Sequence, residues 1–330
     1  MKKLLLILLC LPMFGFGQNV NIPDANFKAY LVGEWYINTN GDSEIQVSEA
    51  SAYSSMLEVP FGLPNISNIT GIEAFTALTG LDCSSIGLTS LDVSNNTALQ
   101  YLYCSNNNIE ILDVSTNIAL TELFCQDNEL TSLNVSNNIA LSILVCDENE
   151  LTSLDVSNNT ALTELWCFNN ELTSIDVSNN NQLLEMKCYD NQLTSLSVSS
   201  ISLWLLYCYN NQLTSLDVSQ NTALTDLDCH SNQLTILDLR NGNNTNFFGY
   251  FGGDGFNTGG NPNLSCISVD DANWSDANWL NIDSWTNFSS NCATAQNCQI
   301  IDSVIITNIS CFGGVDGAID IVLLNPVGLY

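Results

Sequence analysis

The chain has 330 residues, of which 45% are hydrophobic, and five Lys and Arg stand against 35 Asp and Glu, a formal net charge of −30. This balance argues against nucleic-acid binding and against docking on anionic lipid, because both need clustered Lys and Arg. The single histidine, His230, argues against histidine-based nucleophilic catalysis and against multi-histidine metal sites.

The first predicted element is an export signal at residues 1–17. Lys2 and Lys3 form a short basic region, and the apolar run at residues 4–16 follows them. The small residues around Gly17 favour cleavage there. The apolar run is shorter than the roughly 20 residues that a membrane span needs. We therefore expect an exported protein, secreted or at the outer cell surface, without membrane insertion.

Residues 18–68 are predicted to form a small helical N-terminal cap that contains a polar loop. Oxygen-bearing residues in this loop follow the spacing of EF-hand calcium ligands, and they are Asn38, Asn40, Asp42, the Glu44 carbonyl, Gln46 and Glu49. Two departures weaken the match, because Asn38 replaces the usual Asp and Ser43 replaces the turn glycine. The alternative is an Asx-rich turn between two helices. Both interpretations stay open, and calcium is the only cofactor that the sequence suggests.

A repeat of 21 residues organises the segment 69–240. Its clearest mark is a regularly spaced cysteine, at Cys83, Cys104, Cys125, Cys146, Cys167, Cys188, Cys208 and Cys229, with one step of 20 residues. The surrounding residues read Leu-x-x-Leu-x-Cys-x-x-Asn-x-Leu, as in residues 162–172, which is the leucine-rich-repeat signature. One repeat cannot bury its apolar face alone, so the repeats are predicted to stack into a mainly β solenoid with a shared core.

Within each repeat the alternation predicts a short strand. Leu165 and Cys167 point inward and Trp166 and Phe168 point outward. The half-repeat at residues 172–177 predicts a second short strand on the opposite wall. A column of buried asparagines is expected to bond the turn backbone of neighbouring coils; its members are Asn107, Asn128, Asn149, Asn170, Asn191, Asn211 and Asn232.

The repeat resembles the 21-residue, cysteine-bearing class of bacterial leucine-rich repeats called the IRREKO type, which is frequent in secreted surface proteins of Bacteroidetes. The resemblance covers about residues 69–239, roughly half of the chain. It implies a solenoid that serves binding or adhesion and not catalysis.

The cysteines require two interpretations. Those of the repeat are interpreted as small buried hydrophobes, because parallel side chains in a column rarely reach the dihedral that a disulfide needs. A metal ladder is the alternative, although the CxxC or His spacing of a zinc site is missing. Beyond the repeats, Cys266 and Cys292 are disulfide candidates that would clamp an aromatic C-terminal cap at residues 241–292. The sequence leaves the pairing of Cys298 and Cys311 undecided.

The outward strand positions are the predicted ligand-binding face. They hold Tyr101, Tyr103, Phe124, Trp166, Phe168, Tyr189, Tyr207 and Tyr209, beside the carboxylates Glu122, Glu164 and Glu185. Large exposed aromatic side chains mark binding surfaces. The alternative is that strands favour aromatic residues on any face. A glycosidase acid pair of Glu164 and Glu185 is disfavoured, because any two stacked acids would show the same spacing.

Residues 293–330 change in composition and are predicted to begin a further β module. The segment around Cys311 reads Cys-Phe-Gly-Gly-Val-Asp-Gly and resembles the opening of the SprB-like repeats of gliding-motility adhesins. We expect the module to be truncated. Two functions follow: a non-enzymatic surface protein that recognises protein or glycan through its strand face, or a structural spacer rod in a larger adhesin.

Overall fold

The computed structural model describes residues 17–62, 66–248 and 255–292. The chain divides into two units, Met1–Cys292 and Ala293–Tyr330, and every described residue belongs to the first. Three sequence predictions concern residues outside the described ranges: the export signal, the SprB-like module and the pairing of Cys298 with Cys311.

The N-terminal cap contains two helices, α1 (Ala25–Gly33) and α2 (Val47–Ala52). The side chain of Asp24 caps α1 by accepting hydrogen bonds from the amides of Asn26 and Phe27 at 2.9 and 3.0 Å. Phe27 and Leu31 bury one side of α1 against the first coils. The prediction of a small helical cap is therefore confirmed.

Stacked coils follow, and each contributes one short strand to a parallel sheet of ten strands. These strands are β1 (Met56–Glu58), β2 (Gly80–Asp82), β3 (Tyr101–Tyr103), β4 (Glu122–Phe124), β5 (Ile143–Val145), β6 (Glu164–Trp166), β7 (Glu185–Lys187), β8 (Leu205–Tyr207), β10 (Asp226–Asp228) and β12 (Phe256–Asn257). Equivalent residues pair across neighbouring coils, as Leu144 pairs with Leu165. The repeat length therefore sets the register of the sheet, and the predicted solenoid is confirmed.

The second wall of the solenoid differs from the prediction. Its sheet has only four strands, β9 (Ser215–Asp217), β11 (Ile236–Asp238), β13 (Cys266–Ser268) and β14 (Asn287–Ser289). Between residues 89 and 200 the second half-repeat forms no strand, so the prediction was wrong there. The inward leucines remain buried but pack less closely, since Leu112 and Leu154 are 5 and 6% exposed whereas Leu216 and Leu237, on strands, are 1% exposed. The hydrophobic pattern fixes which side chains point inward, and strand pairing additionally requires the coils to approach closely.

The core is a set of side-chain columns that run the length of the solenoid. The cysteines from Cys83 to Cys229 form one column, and all eight are free and buried. Burial raises the pKa of each thiol, because a thiolate would lose its hydration there. The interpretation as small buried hydrophobes agrees with this environment.

Two asparagine ladders connect the coils, and one of them is the ladder predicted from the sequence. In the predicted ladder, the Asn107 amide group donates to the carbonyls of Cys83 and Cys104 at 3.0 and 2.9 Å, and its oxygen accepts from the Leu88 amide at 2.9 Å. In the second ladder, Asn117 donates to the carbonyls of the preceding coil in the same way. The other members of the second ladder are Asn96, Asn138, Asn159, Asn180, Asn221 and Asn241. Each rung satisfies backbone carbonyls that would otherwise be buried without a partner.

The N-terminal cap covers the β1 end of the ten-stranded sheet. At β1 the outward carbonyls of Met56 and Glu58 accept hydrogen bonds from the Tyr53 and Tyr30 hydroxyls at 2.7 and 2.8 Å. These phenols satisfy acceptors that a free edge strand would offer to another chain. The edge at β1 is therefore protected by tyrosine side chains of the N-terminal cap.

The C-terminal cap is aromatic, as predicted. Trp279 follows helix α3 (Ala272–Asn278), is 1% exposed, and stacks on Phe256 with ring centroids 4.1 Å apart. The predicted disulfide between Cys266 and Cys292 is present. Within the described residues, every helix is too short or too polar to span a membrane.

Candidate ligand-binding face

The candidate site is the strand face, which we define as the outward side chains of β2 to β8 and β10 in three columns. The first column holds the first residue of each strand, the second column the last residue, and the third column the second residue after the strand. All eleven predicted residues lie on this face and are half-buried. They are Tyr101, Glu122, Glu164 and Glu185 in the first column, Tyr103, Phe124, Trp166 and Tyr207 in the second, and Phe168, Tyr189 and Tyr209 in the third.

The same backbone turn positions the third column in every coil. The residue after each third-column residue adopts a left-handed conformation, with φ between 50° and 60°. These residues are Ser85, Asn106, Asp127, Glu148, Asn169, Asp190, Asn210 and Ser231. Asn and Asp tolerate this region better than other non-glycine residues. The repeated turn ends each strand and holds the third column in line across the coils.

Four rings of the third column stack into a continuous ladder, which we call the ring ladder. The ring centroids are 4.3 Å apart between Phe168 and Tyr189, 4.2 Å between Tyr189 and Tyr209, and 4.5 Å between Tyr209 and His230. The planes are within 16° of parallel. Each inner ring therefore uses both faces within the ladder. His230 was not among the residues predicted for the face, although it occupies the same position in its repeat as Tyr189 and Tyr209.

Phenol and imidazole groups along the face are hydrogen-bonded to carboxylates. The Tyr103 hydroxyl donates to Glu122 at 2.5 Å, and the Tyr207 hydroxyl donates to Asp226 at 3.1 Å. Burial and the neighbouring carboxylate both raise the pKa of Tyr103. His230 Nδ1 lies 2.5 Å from a carboxylate oxygen of Asp228. These contacts fix the polar groups of the face in one arrangement before any ligand binds.

The centre of the face is an indole covered by an ammonium group. Lys187 Nζ lies 3.6 Å from the centroid of the Trp166 ring, a cation–π contact. Glu164 and Glu185 are direct neighbours in the sheet register. Burial raises the pKa of Glu185, and the charge of Glu164 raises it further. Trp166 points outward, as predicted, but the Lys187 ammonium group lies over its ring.

Beside this centre lies an acidic residue that the sequence analysis did not single out. Asp147 occupies the third column, next to Phe168, yet it is only 5% exposed. Its Oδ1 atom has no hydrogen-bond partner within the described part of the chain. Burial raises the pKa of Asp147 to about 7. The repeat pattern places Asp147 at an outward position and gives no sign of its burial.

The segment predicted to bind calcium covers the loop between α1 and α2 and the first turn of α2. Five of the six predicted ligands, Asn38, Asn40, Asp42, Glu44 and Gln46, lie in the loop, and Glu49 lies in α2. The Glu49 carboxylate accepts hydrogen bonds from the backbone amides of Thr39 and Gln46 at 2.8 and 3.0 Å. The Asp42 carboxylate accepts from the Glu44 amide at 2.7 Å, which is an Asx turn. Within the described residues, no three His, Cys, Asp or Glu side chains are grouped to hold a metal. Calcium binding therefore stays a prediction.

Comparisons with known proteins identify the fold. The functional domain of InlJ from Listeria monocytogenes, whose structure includes a cysteine ladder, is 32% identical to this chain, with 76% of this chain and 67% of that chain covered and a TM-score of 0.53. Internalin C2 from Listeria monocytogenes is 20% identical to this chain, with 63% of this chain and 94% of that chain covered and a TM-score of 0.55.

A third similar structure is the ectodomain of the Arabidopsis thaliana receptor kinase GASSHO1/SCHENGEN3 in complex with CASPARIAN STRIP INTEGRITY FACTOR 2. It is 22% identical to this chain, with 67% of this chain and 28% of that chain covered and a TM-score of 0.54. No family model and no curated protein matches the chain. The repeat signature, the stacked parallel strands and the 32% identity to a relative with a cysteine ladder together show that the chain belongs to the leucine-rich-repeat proteins.

Proposed function

We propose that the chain is a non-enzymatic recognition protein, secreted or at the outer cell surface, that binds a protein ligand through its strand face. The observation that carries the proposal is the row of half-buried aromatic side chains across the strand face, bordered by carboxylates. Tyrosine and tryptophan are enriched among the residues that dominate protein interfaces. Membership of the leucine-rich-repeat proteins supports a role in recognition, since similar structures are typically interaction modules.

The geometry of the ring ladder favours a protein ligand over a glycan. A sugar ring stacks on the free face of an aromatic ring, but Tyr189 and Tyr209 use both faces within the ladder. Lys187 already covers one face of Trp166. What the face offers instead is ring edges, hydroxyls and carboxylates, and these suit the mixed side chains of a protein surface.

The proposal is tested by binding the full chain to an array of extracellular proteins and, in parallel, to a glycan array. Replacing Trp166 with Ala should weaken a protein hit by about tenfold or more, as for an interface hot spot. The Trp285→Ala variant is the matched control, because Trp285 is an exposed tryptophan of the C-terminal cap. Protein hits that respond equally to both variants would move the binding site away from the strand face.

The second candidate is the spacer rod, which is favoured by the continuous core of the solenoid. It predicts that adhesion of cells carrying the protein does not depend on Trp166. We further propose, from the sequence resemblances, that the repeats are of the IRREKO type and that a SprB-like module follows them.

A further inference from the structure

The basic residues of the described part of the chain are all engaged within the protein. Lys28 is paired with Glu44 at 2.6 Å, and Arg240 with Asp238 at 2.5 Å. Lys187, on the strand face, lies over Trp166. Since the described residues contain no further Lys or Arg, no basic side chain is left over for an anionic ligand. A ligand that complements this face must bring positive charge itself.

Three of the acidic groups of the face surround its one ammonium group. Glu185, Glu164 and Asp147 all lie close enough to raise the pKa of Lys187, which opposes the lowering caused by burial. One ammonium group thus stands against three acidic groups. An acidic site with partly buried walls strengthens the attraction of a cation relative to open water.

Asp147 supplies an independent sign of a ligand. A buried carboxyl oxygen without a hydrogen-bond donor is unfavourable, because the group has lost water and gained no partner. The Oδ1 atom of Asp147 is in this position, in a column of which Ser105 is the other buried member and the remaining members are half-buried. It lies beside Phe168, at the point where the ring ladder begins. A guanidinium or ammonium group of a partner would provide the missing donor.

We propose that the ligand of the strand face is a basic protein segment, and that Asp147 anchors one of its Arg or Lys side chains once the Lys187 side chain moves aside. This inference rests on the proposed function and adds the chemistry of the partner. The Lys187 side chain, which is 9% exposed, is the internal competitor, since its ammonium group is attracted by the same acids in the unbound protein. The partner's cation takes over that neutralisation and adds the contacts of its own chain with the ring edges.

The test uses a fluorescein-labelled peptide of alternating Arg and Val, with fluorescence anisotropy of the full chain at physiological salt. A second peptide carries citrulline in place of Arg, which keeps the shape and removes the charge. We expect saturable binding of the arginine peptide only. The Asp147→Asn variant should bind it about tenfold or more weakly. The Glu171→Gln variant removes one charge from an exposed residue outside the face, and its affinity should change less than about twofold.

The Lys187→Gln variant should change the affinity for the arginine peptide in the opposite direction to Asp147→Asn. Because it removes the competing cation, it should bind the arginine peptide more tightly, whereas structural damage would weaken binding. Three results overturn the inference: no saturable binding, equal binding of the citrulline peptide, or equal losses in Asp147→Asn and Glu171→Gln. A protein-array hit that depends on Trp166 but not on Asp147 would refute the basic partner and leave the proposed function intact.

Discussion

Replacing Asp147 with Asn should stabilise the protein, and the gain should grow with pH. The folded state raises the pKa of Asp147 from 3.8 to about 7, mainly by burial. Glu148 and Asp127 raise it as well, and Lys187 lowers it. Between these two values the folded protein binds a proton that the unfolded chain has released, so the carboxyl group makes stability fall as pH rises through this window. An Asn side chain has the same shape and no ionisation to suppress.

The magnitude follows from the size of the pKa difference. Each unit is worth about 1.4 kcal/mol, so the fully ionised carboxylate costs the folded state about 4 kcal/mol above pH 7. At pH 5 the unfolded chain is ionised and the folded state is still protonated, and the cost is about 1.5 kcal/mol. The amide oxygen of Asn would also lack a hydrogen-bond donor, and this cost does not depend on pH. The quantity to compare is therefore the change with pH in the stability gained by Asp147→Asn.

Urea denaturation of the parent and of Asp147→Asn at pH 5 and pH 8 measures this difference. We expect the variant to be more stable at both values, with the larger gain at pH 8. Asp127→Asn is the control, because Asp127 is exposed in the neighbouring coil and its substitution should change stability by about 0.5 kcal/mol or less. A gain that does not depend on pH, or a loss at pH 8, would refute the ionisation argument. Weaker peptide binding by this stabilised variant would be a functional effect and not a result of unfolding.

Further predictions concern the core, the thiols, the loop and the shortest coil. Leu165→Ala should cost about 2–5 kcal/mol of stability in urea denaturation, whereas Trp166→Ala should cost much less, because Leu165 is fully buried and Trp166 only half-buried. Native protein should leave the eight ladder thiols unreactive towards Ellman's reagent and release them on denaturation; reaction of most of them in native protein would contradict the buried column. If the loop binds calcium, the ion should raise the melting temperature and Asp42→Asn should reduce that rise. In native-state hydrogen exchange, the Leu203 amide should exchange faster than that of Leu183, since their turn hydrogen bonds measure 3.4 and 3.1 Å; equal protection would contradict a weaker turn.

The sequence was sufficient for features that each coil repeats on its own. The repeat length, the inward Leu and Cys positions and one asparagine ladder follow from the spacing, because stacking turns a linear period into a column. The second ladder was also predictable, since an Asn stands two positions after the Ser of most Val-Ser pairs, as at Asn117 and Asn138.

Features that depend on neighbouring coils could not be predicted in this way. The repeat places Asp147 at an outward position, but the side chain is only 5% exposed, and its burial cannot be read from its own coil. The contact of Lys187 with Trp166 depends on the rotamer of a long side chain. Tyr189 stacks on Tyr209, so the two rings cover each other's faces and present their edges to solvent. Each of these differences bears on the chemistry of the ligand and leaves the fold unchanged.

The coil of 20 residues shows how strictly the strand face is specified. Despite the missing residue, Glu185 pairs with Leu205 and Lys187 with Tyr207 without a slip, and Tyr189 still stacks on Tyr209 at 4.2 Å. The deletion is absorbed on the opposite side, where Ser200 replaces an asparagine of the second ladder and its hydroxyl donates to the Leu183 carbonyl at 2.7 Å. A slip of one residue on the strand would turn every outward side chain inward. A turn on the far side can shorten at the loss of one asparagine of the second ladder, whose two hydrogen bonds to the preceding coil Ser200 does not make. The strand side is therefore the part of the coil that cannot change length, which is also why a ligand surface can be built on it from residues 21 positions apart.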